Sequence, residues 1–319
     1  MSDSVLSIRD LCVDYVTPTG PVRAVDGVSL DVRPGEILGI AGESGSGKST
    51  LAQALMRILP PPAVVSGGRA LLEGRDVLRM DEGELRTTRW RRISMVFQSA
   101  MDALNPVIPI GEQIADTIVA HGAGTARAAR TRAGDLLEMV GIPRHRRDGY
   151  AHQLSGGMRQ RVGIALALAL EPAVVILDEP TTALDVIVER EILDRIRALR
   201  DELGFAVLFI THDLARMLQV SDRVAVLYAA RLAEIAPARE LSTSARHPYT
   251  QGLLRAFPSV RGRADEAVSI PGAPPSLQSP PSGCRFHPRC PHAVDACRRR
   301  EPRLVRLGPG HAADCELLE

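Results

Sequence analysis

Nine consecutive residues, Gly42-Glu43-Ser44-Gly45-Ser46-Gly47-Lys48-Ser49-Thr50, constrain this chain more than any other stretch. An apolar run, Ile37-Leu38-Gly39-Ile40-Ala41, precedes them and reads as a short buried β-strand. Leu51 to Leu59 follow with apolar residues at helical spacing. Strand, glycine-rich loop, Lys-Ser and helix together form a phosphate cradle. The glycines let the backbone curl until successive N–H groups face inward as an anion nest. The helix N-terminus adds the positive end of its dipole. Lys48 is placed to reach β- and γ-phosphates, and Ser49 to hold Mg²⁺. The chain carries 39 Lys plus Arg residues, yet Lys48 is its one lysine. Arginine occupies every other basic position; here a compact ammonium must fit among phosphate oxygens, where a planar guanidinium fits poorly.

At 319 residues the chain has room for one large domain, or one α/β domain with an appendix. A net charge of +1 leaves no footprint for nucleic acid, and aromatics at 3% argue against base-stacking surfaces. The longest apolar run, Val162 to Leu170, is stopped by Glu171-Pro172 and is too short to cross a bilayer. Met1-Ser2-Asp3-Ser4 lacks the basic start and apolar core of a signal peptide. The expectation is a cytosolic protein without a transmembrane helix, its cysteines reduced. Four of the five cysteines fall in the last 36 residues, the most uneven feature of the composition.

Residues 5–16 and 22–33 partly alternate apolar and polar around Pro18, Gly20 and Pro21, which predicts an antiparallel β segment with Tyr15 at the end of its first strand. Strand patterns recur at Arg69 to Leu72 and Ile93 to Gln98, and residues 111–140 read as mostly helical. Gln98 at the strand end can orient water or ligate Mg²⁺ through its amide oxygen; alone, it reads as an ordinary polar loop residue. Leu154-Ser155-Gly156-Gly157-Met158-Arg159-Gln160-Arg161 opens an apolar helix, with Ser155 as N-cap and a first turn bare of side chains. That is a second anion site over 100 residues from the first, so it need not serve the same nucleotide. Val174 to Leu177 form a buried strand ending in Asp178 and Glu179, the way parallel sheets present catalytic acids. Asp178 would support Mg²⁺ opposite Ser49, and Glu179 would take a proton from an attacking water. Thr182-Ala183-Leu184-Asp185 turn into a helix over 186–203 with apolar Val186, Val188, Ile192, Ile196 and Leu199. A last buried strand, Phe205 to Ile210, ends in Thr211-His212-Asp213.

These five stretches, in this order, resemble the ATP-binding subunit of ABC transporters over residues 5 to about 240. The resemblance implies an α/β P-loop NTPase core with an antiparallel β subdomain and a helical subdomain. It implies that Tyr15 stacks on adenine, that Gly42 to Thr50 are the Walker A loop, and that Gln98 links Mg²⁺ and water to the membrane subunits. Ser155, Gly156, Gly157 and Gln160 then belong to the signature motif. Asp178 is the Walker B aspartate, Glu179 the catalytic base, Asp185 the D-loop residue and His212 the switch histidine on the γ-phosphate. In this family two ATPs are sandwiched between two ATP-binding subunits facing head to tail, so Ser155 to Gly157 serve the partner's nucleotide.

Arg246-His247-Pro248-Tyr249-Thr250 is similar to the C-terminal extension of dipeptide, oligopeptide and nickel importer ATPases, as is Phe97-Gln98 followed by Met101, Ala103-Leu104-Asn105-Pro106. The implied division is an ATPase domain over 1–240 and an extension over 241–319. Pro and Gly concentrate at 271–283, a linker by composition. Cys284, Cys290, Cys297 and Cys315 follow, spaced C-x5-C-x6-C-x17-C. Reduced thiols so gathered suggest metal rather than disulfides. Zinc usually takes tight C-x2–4-C pairs, absent here, although His287 and His292 offer further ligands. Four thiolates also suit a [4Fe–4S] cluster, which the matching tail of the importer family is implied to carry. Cys12 reads as a small buried hydrophobe. Two departures stand out: Ala230 where the family has glycine before Arg231, and Ser99-Ala100 where it has an acidic residue and proline.

The expected protein hydrolyses ATP at the cytoplasmic face of the membrane to energise import of peptides, or of nickel or another small solute. Its implied partners are a second, related ATP-binding subunit, two transmembrane permease subunits and an extracellular solute-binding protein. A soluble ATPase acting on ribosomes or DNA is the other class. Those proteins carry tandem cassettes or long coiled coils, and neither pattern is present.

Overall fold

The computed structural model describes residues 4–98, 103–182, 184–256 and 269–318. Ser99, Ala100, Met101 and Ala183, named above, lie outside them. The chain forms two compact units, one of Leu6–Val32, Glu36–Leu78 and Phe209–Glu319, the other of Met1–Val5, Arg33–Gly35 and Arg79–Leu208.

The first unit opens with β1 (Leu6–Thr17) and β2 (Gly20–Val32), paired antiparallel as the alternation predicts. Leu6, Ile8, Leu11 and Val13 of β1 and Val25, Val28 and Val32 of β2 turn inward. Next come β3 (Ile37–Ala41), buried at every residue, and α1 (Lys48–Leu55). The helix is shorter than its apolar spacing predicts: it ends at Leu55, and Arg57 adopts a left-handed φ of 50°. β4 (Ala63–Leu72) and β5 (Arg75–Asp76) complete a four-stranded sheet in the order β2-β1-β4-β5. Cys12 is half-buried rather than buried, because its sulfur accepts the Gly27 N–H at the sheet surface, 3.3 Å away.

The second unit holds α2 (Glu82–Thr88), β6 (Ile93–Val96), α3 (Ile110–Ala120), α4 (Ala126–Met139), α5 (Gly156–Ala167), β7 (Val174–Asp178) and α6 (Val186–Leu203). β6 and β7 pair in parallel, and α3 packs on α4 through Ile114, Ile118, Leu136 and Leu137. The α6 boundaries agree with the periodicity, but its buried face is Ile192, Leu193, Ile196 and Leu199; Val186 is 66% exposed. β8 (Ala206–Ile210) carries the chain back to the first unit.

There α7 (Leu214–Val220) leads to β9 (Arg223–Tyr228), parallel to β3, and β10 (Arg231–Pro237), antiparallel to β9. Ala229 and Ala230 form the turn with φ of 45° and 73°. A Cβ in that region costs roughly 1–2 kcal/mol per residue, which is the physical reason glycine is expected before Arg231. After α8 (Ala238–Ser244), α9 (Pro248–Ala256) and α10 (Asp295–Arg299), β11 (Leu304–Gly308) and β12 (His311–Asp314) extend the same sheet in the order β11-β12-β10-β9-β3. The fully buried Glu234 of β10 pins this edge. It accepts the N–H groups of Arg246 (2.7 Å) and His247 (3.0 Å), and His311 Nε2 lies 2.8 Å away. Among the described residues no helix is long and apolar enough to cross a membrane.

Candidate nucleotide site

In the first unit, β3 delivers Gly42 to Gly47 to the N-terminus of α1. Gly42 (φ 147°) and Gly47 (φ 99°) are obligatory: a Cβ would stand 2.2 Å from the Leu227 carbonyl oxygen and 2.1 Å from that of Ala24. The loop therefore lies backbone against backbone on its supports. Lys48 folds over it, Nζ donating to the carbonyls of Gly42 (2.8 Å) and Glu43 (2.9 Å), with Ser46 Oγ at 3.4 Å. Tyr15 reaches the same loop, its hydroxyl 3.4 Å from Thr50 Oγ1. His212, also of this unit, is exposed between β8 and α7.

The second unit assembles the carboxylates. β7 is buried through Asp178, and Glu179 follows with a left-handed φ of 47°, a strained setting for a residue with a Cβ. Gln98 Nε2 (2.7 Å) and Thr182 Oγ1 (3.0 Å) both donate to Glu179 Oε2. Gln98 thus sits in a turn beyond β6 with its amide nitrogen committed to Glu179. Within this unit Gln98 and Asp178 carry oxygens of the hard kind that Mg²⁺ prefers, and Ser49 carries another in the first unit.

Ser155 caps α5 as expected, accepting the Met158 N–H at 3.3 Å. Gly157 is bare by packing, since a Cβ there would meet Val188 Cγ1 at 2.4 Å. Asp185 caps α6 through the N–H groups of Ile187 (3.1 Å) and Val188 (2.9 Å), so the D-loop candidate and the signature helix are joined by Val188. Gln160 is buried, and its Nε2 has no hydrogen-bond partner among the described residues.

Three residues outside the expected set touch the phosphate loop or the Glu179 carboxylate. Thr182 holds Glu179. Tyr249 Oη accepts the Glu43 N–H at 2.9 Å, and Arg289 grips the Glu43 carboxylate. Tyr249 belongs to the His247-Pro248-Tyr249 motif, which marks the extension without announcing a contact 206 residues back along the chain. Burial drives the Tyr249 hydroxyl well above the usual phenol range and the His247 imidazole down to about 4, so both are neutral at physiological pH. Tyr228, Tyr249 and Phe286 pack with ring centroids 4.4–5.4 Å apart, an aromatic nucleus in a protein poor in aromatics.

Of the tail cysteines, Cys297 and Cys315 are buried, and Cys284 and Cys290 are half-buried. Burial pushes the Cys284 thiol up to about 11, with Cys297 and Cys315 adding to the shift; the Cys290 and Cys315 thiols rise for the same first cause. The four sulfurs share one electrostatic neighbourhood. Among the described residues, however, no three or more His, Cys, Asp or Glu side chains are drawn to metal-holding distance. The thiols are of the chemistry a thiolate-bound metal takes, but they are not gathered as a ligand set.

A family model described as ABC transporter matches residues 25–182, and one described as the C-terminal region of oligopeptide/dipeptide transporters matches residues 233–297. The dipeptide transport ATP-binding protein DppD of Caldanaerobacter subterraneus is 42% identical over 318 residues, covering 99% of this chain and 97% of that protein. DppD of Bacillus subtilis is 43% identical, covering 99% and 95%. Among solved structures, an ATP-binding cassette in a dimeric post-hydrolysis state with ADP and Pi is similar at a TM-score of 0.66 and 28% identity, over 73% of this chain and 99% of that one.

Proposed function

The chain belongs to the ABC transporter family of ATP-binding subunits, and from that premise we propose that it energises import of di- or oligopeptides across the cytoplasmic membrane by hydrolysing ATP. The observation carrying the peptide reading is the near full-length likeness to dipeptide transport ATP-binding proteins, C-terminal region included. Nickel or another small solute is the second reading, since the imported solute is selected by subunits other than this one.

In this reading ATP lies with its phosphates on the N–H groups of Gly42 to Thr50, its β- and γ-phosphates against Lys48 and its adenine on Tyr15. Ser49, Gln98 and Asp178 would hold Mg²⁺, which would neutralise charge developing on the phosphates. Glu179 takes the proton of the attacking water, and His212 contacts the γ-phosphate. Ser155, Gly156 and Gly157 face the nucleotide of a second ATP-binding subunit, with Asp185 alongside and Gln160 buried within α5. The exposed Val186 (66%) and Ile187 (73%) beside Asp185 support this, being apolar side chains set where a partner would cover them. The subunit is peripheral, working on two permease subunits fed by an extracellular solute-binding protein. Residues 1–240 are the motor and 241–319 the extension.

Cys284, Cys290, Cys297 and Cys315 are proposed to ligate a [4Fe–4S] cluster, supported by four thiols in one neighbourhood. Protein purified without oxygen is expected to absorb broadly near ~400 nm and to carry iron, both lost in Cys290→Ser. Zinc in place of iron, or neither metal, overturns the cluster. The transport reading is tested by co-expression with the permease subunits. ATP-driven peptide uptake and co-purification support it, and a chain that never associates with membranes sinks it.

A further inference from the structure

Two contacts tie the C-terminal region to the phosphate loop across 206 and 246 residues of sequence. Both meet at Glu43, the second residue of the loop. Its N–H donates to Tyr249 Oη at 2.9 Å. Its carboxylate receives a two-pronged grip from Arg289, Nη1 to Oε2 at 2.8 Å and Nη2 to Oε1 at 3.0 Å. Glu43 also offers its carbonyl to Lys48 Nζ at 2.9 Å. The N–H held by Tyr249 belongs to the Gly42–Glu43 peptide, whose own carbonyl, that of Gly42, also accepts from Lys48 Nζ at 2.8 Å, so the peptide the C-terminal region holds is one on which the lysine rests.

Arg289 is itself fixed on every side. Nε donates to the Pro271 carbonyl at 2.8 Å, Nη1 to Tyr228 Oη at 3.3 Å, and the guanidinium lies 5.8 Å from the centre of the Tyr228 ring. Its side chain is 6% exposed. Exposed ion pairs are loose and contribute little, whereas a two-pronged pair on a buried guanidinium that also donates to Pro271 and Tyr228 is held close to one geometry. Tyr249, fully buried against Tyr228 and Phe286, has no other place for its hydroxyl.

We propose that Arg289 and Tyr249 are positioning residues for ATP: the C-terminal region presets the phosphate loop through Glu43. This rests on the reading that the loop holds ATP. Neither residue touches the nucleotide. They act by fixing the backbone whose N–H groups and lysine do, so that the loop need not be ordered at the moment of binding. A pair that merely stabilised the fold would lower the melting temperature and leave the affinity of the folded protein unchanged.

The test is titration of the full chain with a fluorescent Mg-ATP analogue, alongside thermal melting. Arg289→Ala and Glu43→Gln are each expected to weaken binding by about tenfold, and the double variant no further, because both break the same contact. Arg289→Lys, which can serve one oxygen but not both, falls between. Tyr249→Phe, which removes only the hydroxyl, weakens binding in the same direction. Wild-type affinity in both Arg289→Ala and Glu43→Gln overturns the inference, whatever their melting temperatures. If Arg289→Ala fails to fold, Glu43→Gln, which keeps the side chain's shape, decides alone. A wild-type chain that binds no Mg-ATP instead overturns the nucleotide reading itself.

Discussion

Glu179→Gln is expected to cut ATP turnover by at least about a hundredfold while leaving ATP bound. Glu179 stands at the end of the buried strand β7, with the Gln98 amide and the Thr182 hydroxyl both donating to one of its oxygens. A carboxamide fills the same space but cannot accept a proton from water, so the change removes the base without reshaping the site. In the proposed reading the phosphate contacts come from residues 42–50, which the change leaves in place. The nucleotide is then held without being consumed, and two chains should stay closed on it. Phosphate release measured beside gel filtration with ATP separates the two effects. Undiminished turnover would remove Glu179 from the role of base.

Lys48→Arg is expected to weaken Mg-ATP binding by at least about tenfold even though the charge is kept. Lys48 is 7% exposed, and its ammonium already occupies the hollow formed by the Gly42 and Glu43 carbonyls and Ser46 Oγ. A planar guanidinium is too broad for that hollow. Because glycine is required at 42 and 47 by carbonyls about 2 Å from where a Cβ would sit, the loop has no room to yield. Titration of the variant against wild type checks this; equal affinity would mean that charge alone matters at this position.

The local features of the site were legible because each is encoded within a few residues. Glycines at 42 and 47, the Ser155 cap, the β7 run into Asp178 and the span of α6 all follow from periodicity or from turn and cap chemistry. Other features depend on distant packing and left no local signal. The apolar positions of α6 do not by themselves say which turn inward: Val186 is exposed and Leu193 is buried, because the face is set by what it packs on. The left-handed Glu179 carries no sequence mark, as acidic residues occur in every conformation. Arg289 is one of 38 arginines, and nothing in its neighbours ties it to Glu43. Ala229-Ala230 is the instructive intermediate: the missing glycine was visible in the sequence, and the backbone reveals what it costs.

The solitary lysine has a practical corollary. Amine-directed reagents, whether isotopic acylating tags or cross-linkers, meet a single side-chain target in the whole chain, and it lies folded into the phosphate loop. Labelling at Lys48 would meet no surface background from other lysines, but its ammonium, hydrogen-bonded to two carbonyls, is shielded by the loop itself. The same scarcity closes the usual amine routes for attaching the protein to a support or to its neighbours, so its contacts in an assembly have to be mapped through carboxylates, arginines or the tail thiols.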